Sequence, residues 1–183
     1  MEFETFGARS AAFYNLLVSM GVFNWAYATA MGIIRRLARP GSLVLEIGTG
    51  NGPLLQRLEK AGYVAVGIDA SVHMLKYAQK RAPGVSLAGV SFALPIRPES
   101  IQVAVALFTL HHWGPHGPSI DELHKALKPG GHFIAIEVDQ ERMPLVGSHG
   151  CTKTCMEEAL GLRFQVAIER RFPLIVAVGK KGG

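Results

Sequence analysis

The chain has 183 residues, of which 49% are hydrophobic and two are cysteines, and it carries a net charge of +5. This length favours one domain with a single sizeable core, and so few cysteines are typical of a reducing cytoplasm, where we expect the protein to reside. The basic residues occur singly or in pairs rather than in a long run. The charge therefore does not indicate a nucleic-acid-binding tract.

The N-terminal segment is unusual because residues 11–34 contain no charged residue. That stretch is long enough to cross a bilayer on length alone, but several polar residues interrupt it. Its large apolar residues follow the i, i+3, i+4, i+7 spacing of a helix with one apolar face, at Phe13, Leu16, Leu17 and Met20. We expect residues 1–39 to form a helical cap packed on the domain, without insertion into a membrane. Peripheral contact of this segment with a membrane stays open.

From residue 31 onward, helical and extended patterns alternate with short connections. This alternation predicts a mostly parallel sheet covered by helices on both faces. The pattern predicts helices over 31–38, 53–60, 71–81 and 119–127, and strands over 43–47, 64–68, 85–88, 103–108 and 132–138. A capping box at Ser119 and Glu122 is predicted to open the fourth of these helices, and the segment Lys128-Pro129-Gly130-Gly131 to end it.

The C-terminal part adds one helix and two strands. Thr154 and Glu157 form a second capping box, with Gly161 as the stop signal. Two extended segments follow, over 163–168 and 174–178. Their connection is too short for a helical crossover, so we expect these last two strands to pair antiparallel.

A glycine-rich loop follows the first predicted strand. Residues 43–52 read Leu-Val-Leu-Glu-Ile-Gly-Thr-Gly-Asn-Gly, and Pro53 is suited to the first position of the next helix. Glycines permit positive φ and let a ligand lie against bare backbone. The third loop glycine comes one residue too early for the dinucleotide fingerprint Gly-x-Gly-x-x-Gly, and no Lys-Ser/Thr follows as in a P-loop. The carboxylate of Glu46 beside this loop suits a ligand with a cationic end and no phosphate.

This stretch resembles motif I, E/D-x-G-x-G-x-G, of the class I S-adenosylmethionine (SAM) dependent methyltransferases. The similarity covers about residues 31–181 and is closest to the small methyltransferases that include the ubiquinone/menaquinone methyltransferases, which share Leu94-Pro95 and Lys128-Pro129-Gly130-Gly131. The resemblance implies an α/β, Rossmann-like fold with a seven-stranded, mostly parallel sheet, helices on both faces and the last strand antiparallel beside the fifth. It also implies a single methyltransferase domain over 1–183, with the SAM-binding core in 40–183.

The carboxyl ends of parallel strands converge on the ligand in folds of this kind. Asp69 ends the second predicted strand, where its carboxylate either accepts from both ribose hydroxyls or simply caps the next helix. The resemblance implies that SAM, and the product S-adenosylhomocysteine (SAH), contact Glu46, Gly48, Thr49, Gly50, Asn51, Gly52, Asp69, Ala70, Ser91, Phe92, Phe108 and Thr109.

One position departs from the pattern of the family. Val90 stands where the family commonly has an aspartate that meets the adenine amino group. An apolar side chain cannot accept that hydrogen bond, so Ser91 or a backbone carbonyl has to accept instead, and Phe92 is expected to pack on the ring.

The segment after the fourth predicted strand contains His111 and His112, either of which is a candidate general base, since imidazole titrates near neutrality. Methyl transfer from a sulfonium depends mainly on alignment, so a purely structural role for both histidines stays open. We expect no metal site, and we expect Tyr14 in the N-terminal segment to fold over the cofactor.

The resemblance favours a SAM-dependent methyltransferase with a small-molecule acceptor. Methylation of RNA (tRNA or rRNA) is one alternative, and a non-catalytic SAM-binding regulatory protein is another, suggested by Val90. The sequence does not predict an oligomeric state.

Overall fold

The computed structural model describes residues 7–146 and 149–182. The helices are α1 (Ala8–Ser19), α2 (Asn24–Leu37), α3 (Pro53–Lys60), α4 (Val72–Arg81), α5 (His116–Ala126) and α6 (Lys153–Gly161). The strands are β1 (Leu43–Ile47), β2 (Val64–Asp69), β3 (Val85–Ala88), β4 (Ile101–Leu107), β5 (Leu127–Val138), β6 (Gln165–Arg171) and β7 (Leu174–Lys180). Short 3-10 turns span Leu110–His112 and Pro144–Val146.

Within the described residues, seven strands form one sheet in the order β3-β2-β1-β4-β5-β7-β6. The first five in this order run parallel, while β7 pairs antiparallel with both β5 and β6. The predicted mostly parallel sheet and the antiparallel insertion of the last strand beside the fifth are both confirmed. The strand order reverses between β1 and β4, so the carboxyl ends of these two strands frame the crevice where ligands bind in such folds.

Helices cover both faces of the sheet, as the alternating pattern predicts. One face packs against α2 and α3, whose leucine and isoleucine side chains include the fully buried Ile34, Leu54 and Leu58. The opposite face packs against α5 and α6 through buried residues such as Ile120 and Leu160. Strand β4 runs between these two layers and is buried over most of its length, which explains its unbroken apolar sequence.

Three predicted start or stop signals were wrong, and the helix predicted over 31–38 begins earlier, as α2 at Asn24. Helix α5 begins at His116, and Ser119 is not its cap but lies fully buried within it, 2.8 Å from the Ser91 hydroxyl. Helix α6 is capped by Thr152, whose side chain accepts from the Cys155 amide, rather than by Thr154. The segment Lys128-Pro129-Gly130-Gly131 lies within the bounds of β5, where the pairing with β4 shifts register.

The N-terminal segment forms the two helices α1 and α2, but its apolar stripe faces the wrong way for the predicted packing. The stripe residues Phe13, Leu16 and Met20 are exposed, and α1 buries Ala11 and Val18 instead. Asn15 on the inner side explains this orientation. Its Oδ1 accepts from Asn51 Nδ2 at 2.7 Å and from Arg81 Nη2 at 3.0 Å, which fixes α1 against the glycine-rich loop.

In the described part of the chain, no single helix is long and apolar enough to cross a membrane. Helices α1 and α2 meet that test of length and composition only as a pair, and they are bent by 77° at the break between them.

Cys151 and Cys155 form a disulfide, with Cα atoms 5.8 Å apart. Their spacing of four would place both on one face of a helix, where a disulfide is geometrically poor, but α6 begins only at Lys153. Cys151 precedes the helix and pairs as an isolated bridge with Asp139, which lets its sulfur reach that of Cys155. Because the two cysteines are bonded to each other, their low number no longer argues for a reducing compartment. The cytoplasmic location stays a prediction.

Candidate active site

A cavity of about 320 Å³ opens at the carboxyl ends of β1, β2 and β4. Nine of the residues predicted to bind the cofactor or take part in catalysis line it: Gly48, Gly50, Asp69, Ala70, Ser91, Phe108, Thr109, His111 and His112. Five others do not line it: Glu46, Thr49, Asn51, Gly52 and Phe92. The structure thus brings most of the candidate site together, while part of the predicted cofactor set lies outside the wall.

The glycine-rich loop forms one side of the cavity with its backbone. The Gly48 and Thr49 amides both donate to the Ile68 carbonyl, at 2.7 and 3.0 Å, which ties the loop to β2. Gly48 has φ of 73°, and a Cβ atom there would overlap the side chain of Thr109. Only glycine satisfies both conditions, so this position allows the closest approach of the loop to the end of β4.

Asp69 presents a fixed carboxylate to the cavity. Its Oδ2 accepts from the Gly50 amide at 2.7 Å, and its Oδ1 accepts from the Ser71 amide at 2.8 Å. Burial raises the pKa of Asp69, and these two amide donors partly offset the rise. Ser71, not Asp69, is the side-chain cap of α4. Each carboxylate oxygen retains a lone pair, so Asp69 can accept a pair of hydroxyl groups from a ligand.

Glu46 supports the loop from behind rather than facing the cavity. It is almost fully buried, and the Thr49 hydroxyl donates to its Oε2 at 2.8 Å. Burial raises the pKa of Glu46 to about 8, with the nearby Asp69 charge adding to the rise and the Thr49 hydrogen bond opposing it. The carboxyl group therefore belongs to the packing of the loop in this structure, and direct contact with the cofactor stays a prediction.

The pKa of Glu46 predicts how stability varies with pH. Its reference value is 4.5, so between about pH 4.5 and 8 the folded protein holds a proton that the unfolded chain has released. The free energy of unfolding should fall as pH rises through this window, by up to about 1.4 kcal/mol per pH unit from this group. Urea unfolding at pH 5 to 8.5 should show a shallower decline for Glu46→Gln than for the wild type. The exposed-site control Glu157→Gln should retain the wild-type slope, and an equal slope in both variants would contradict the assignment.

Aromatic side chains also line the cavity, and Tyr14 among them lies beside Gly50 of the glycine-rich loop. Tyr14 stacks on Phe23 with ring centroids 5.5 Å apart, and the Phe108 ring lies 5.9 Å from Phe23 and 6.2 Å from Trp25. Phe108 has φ of 56°, a backbone conformation that is costly for a bulky residue and that concentrates at functional sites. The prediction that Tyr14 lies over the site is consistent with this arrangement. The roles of Phe23 and Trp25 were not predicted.

His111 is held by a buried carboxylate on the neighbouring strand. Its Nδ1 lies 2.9 Å from Glu137 Oε2, while Glu137 Oε1 accepts from the Leu110 amide at 2.7 Å. Glu137 is fully buried, and the His111 side chain is only 8% exposed. The other ring nitrogen, Nε2, is buried without a hydrogen-bond partner within the described part of the chain. The carboxylate favours the tautomer with the proton on Nδ1, which leaves Nε2 as a buried acceptor in a residue that lines the cavity.

His112 and His149 also line this wall. The rings of His111 and His112 are 3.9 Å apart, and His149 is exposed. Across residues 7–146 and 149–182, no group of three or more His, Cys, Asp or Glu side chains could hold a metal ion.

In the structure, the position that departs from the family pattern, Val90, lies at the cavity. Val90 and Ser91 both line the cavity, but the Ser91 hydroxyl is engaged with that of Ser119. To accept from an adenine amino group, the Ser91 hydroxyl has to keep its hydrogen bond with Ser119 and accept a second one. Otherwise a backbone carbonyl has to accept in place of Ser91.

Comparison with known proteins agrees with this geometry. The family described as "Methyltransferase domain" matches residues 45–135, about half of the chain, from the first strand to the fifth. The matched segment contains the glycine-rich loop, Asp69 and both candidate histidines. With the strand order and the cavity, this match shows that the chain belongs to the class I SAM-dependent methyltransferase superfamily.

Individual relatives differ in their acceptors. A demethylmenaquinone methyltransferase of Streptomyces griseus is 30% identical over 135 residues, covering 71% of this chain and 57% of that protein. A ribosomal protein L11 methyltransferase of Thermus thermophilus is 32% identical over 123 residues, covering 64% and 46%. The crystal structure of a candidate S-adenosyl-L-methionine-dependent methyltransferase from Methanococcus maripaludis superposes with a TM-score of 0.83 at 17% identity, covering 100% of this chain and 97% of that one. The chain spans about half the length of the curated relatives it matches.

The residues around the cavity fit SAM, the cofactor of this superfamily. Asp69 offers lone pairs for the ribose hydroxyls, and the bare backbone at Gly48 and Gly50 leaves room for the rest of the molecule. No lysine or arginine lines the cavity in the described residues, so a sulfonium cation meets no like charge there.

Proposed function

We propose that the protein transfers a methyl group from SAM to a small, largely apolar acceptor. The observation that carries this proposal is the shared cavity, in which Asp69 and the glycine-rich loop face the same space as His111. The proposed cofactor-binding residues and a candidate base thus border one chamber.

The residues of this chain have separate tasks. Asp69 and the loop backbone hold the cofactor, and bound SAM supplies an electrophilic methyl group on a sulfonium. His111 Nε2 accepts the proton that the acceptor atom loses, and Glu137 holds the ring through Nδ1 and stabilises the imidazolium that forms. The aromatic side chains of Tyr14, Phe23 and Trp25 exclude water and align the acceptor.

The walls of the cavity favour an apolar acceptor. Ile47, Leu107, Val138 and the aromatic residues contribute most of its surface, and the carboxylate of Asp69 is assigned to the cofactor. Relatives named demethylmenaquinone methyltransferase support an acceptor of this kind. The relative named ribosomal protein L11 methyltransferase is a reason to test a macromolecular acceptor as well. RNA is the other macromolecular alternative.

The test is radiolabelled methyl transfer from SAM into fractions of the source cell. Protein, RNA and organic-soluble metabolites are separated and each is incubated with the enzyme. We expect label in the organic-soluble fraction, and none with Asp69→Ala. Label confined to RNA or protein would overturn the acceptor class, whereas SAM binding with no transfer to any fraction would favour the regulatory protein.

A further inference from the structure

We propose that the outer surface of the α1–α2 hairpin docks on an anionic lipid bilayer, so that an apolar acceptor can pass from the membrane into the cavity. This hairpin surface consists of Phe13, Leu16, Met20, Val22 and Trp25. Docking does not require the proposed function, which determines only what would enter the cavity from the lipid.

The hairpin surface is strongly apolar and open to solvent. Phe13, Leu16 and Met20 are 63%, 56% and 70% exposed, and Val22 and Trp25 are 45% and 41% exposed. The remaining exposed large hydrophobic side chains in the described residues are distributed over several other elements, as is normal for a protein surface. Large apolar residues clustered within 13 positions of the chain instead indicate an interaction site.

The charges around the hairpin surface suit anionic lipids. Residues 7–45 contain no Asp or Glu, and their four charged residues are the exposed arginines Arg9, Arg35, Arg36 and Arg39. Arg9 lies one helical turn before Phe13 on the same side of α1, and Arg36 lies about three turns after Trp25 on the same side of α2. An apolar surface bordered by arginines is typical of helices that lie in the membrane interface.

The same charges argue against a second copy of the chain as the occupant. A symmetric dimer through the hairpin surface would bring two sets of these arginines together, and residues 7–45 supply no acidic residue to compensate them, since Glu2 and Glu4 lie outside the described residues. Anionic headgroups supply the missing negative charge, and arginine side chains can reach them while the apolar residues enter the acyl region.

The hairpin surface is continuous with the cavity. Trp25 belongs to both, because it lines the cavity while remaining partly exposed, and Tyr14 and Phe23 of the cavity wall are neighbours of Phe13 and Val22. The indole N–H of Trp25 donates to the Val22 carbonyl at 2.8 Å, so the ring can enter an apolar phase without an unpaired donor. A bilayer on this surface would lie directly at the mouth of the cavity.

The experiment is sedimentation of the full chain with phosphatidylcholine vesicles, with and without phosphatidylglycerol, in the absence of SAM. We expect binding that requires phosphatidylglycerol and falls on the order of 1,000-fold in the triple variant Phe13→Ser, Leu16→Ser, Met20→Ser, since each side chain adds roughly tenfold. The matched control Val85→Ser, Leu162→Ser removes two exposed apolar side chains elsewhere and should bind as the wild type does.

Three further results complete the test. Circular dichroism and SAM binding of the triple variant should match the wild type, which separates loss of docking from loss of the fold and from failure of the proposed function. Equal vesicle binding by the wild type and the triple variant would overturn the proposal. A wild-type dimer in analytical ultracentrifugation that the triple variant abolishes, without vesicle binding, would also overturn it and assign the surface to a second copy.

Discussion

Replacing Asp69 by alanine should weaken the binding of both SAM and SAH by roughly 100-fold or more, measured by titration calorimetry. The variant loses the acceptor for two ribose hydroxyls, and hydrogen bonds to charged groups contribute about 1.5–3 kcal/mol each. It also leaves the Gly50 and Ser71 amides without the carboxylate that now fixes them, so the glycine-rich loop loses its connection to the end of β2.

Two variants separate these effects. Asp69→Asn keeps the size of the side chain and one acceptor oxygen, and should bind SAM with an affinity between those of the wild type and Asp69→Ala. Asp121→Ala, which removes an exposed carboxylate that pairs with Arg163, should leave SAM affinity unchanged. Wild-type affinity in a folded Asp69→Ala protein would mean that the cofactor lies elsewhere.

Replacing His111 by alanine should lower kcat by about 100- to 10,000-fold, the usual contribution of a positioned general base. SAM affinity should change little, because His111 faces the acceptor side of the cavity. The measurement is methyl transfer at saturating SAM, with calorimetry on the same preparation. Because the buried Glu137 holds the His111 ring, His112→Ala is the comparison variant and should lose much less activity.

Glu137→Gln should reduce kcat less than the loss of His111 itself, since an amide can still accept from Nδ1 but does not stabilise the imidazolium. The dependence of kcat on pH near neutrality, where imidazole changes charge, should differ from that of the wild type. Equal rates for the wild type, His111→Ala and Glu137→Gln would show that alignment alone drives the transfer, as the sequence left open.

The parts of the fold that could be predicted are those fixed by local sequence. The bounds of β1 and β3 match the prediction, because an apolar run between turn residues determines each. The glycine spacing after β1 and the position of Asp69 at the end of β2 were sufficient to predict that Gly48, Gly50 and Asp69 share a cavity, and binding of the cofactor by these residues stays a prediction. The short connection between β6 and β7 likewise determined their antiparallel pairing.

The parts that could not be predicted depend on contacts between distant segments. Glu137 meets His111 across 26 residues because β4 and β5 are neighbours, a contact that the local sequence does not reveal. The apolar spacing of α1 identified its stripe correctly but not the direction in which it faces. That direction follows from the contacts of Asn15 with Asn51 and Arg81, two polar residues that lie far from Asn15 along the chain.

A crystal structure of the complex with SAH tests the central claim most directly. We predict one SAH molecule in the cavity, with both ribose hydroxyls within hydrogen-bond distance of Asp69 and the sulfur facing the space that His111 borders. SAH bound outside this cavity, or bound within it with no contact between its ribose and Asp69, would contradict the account.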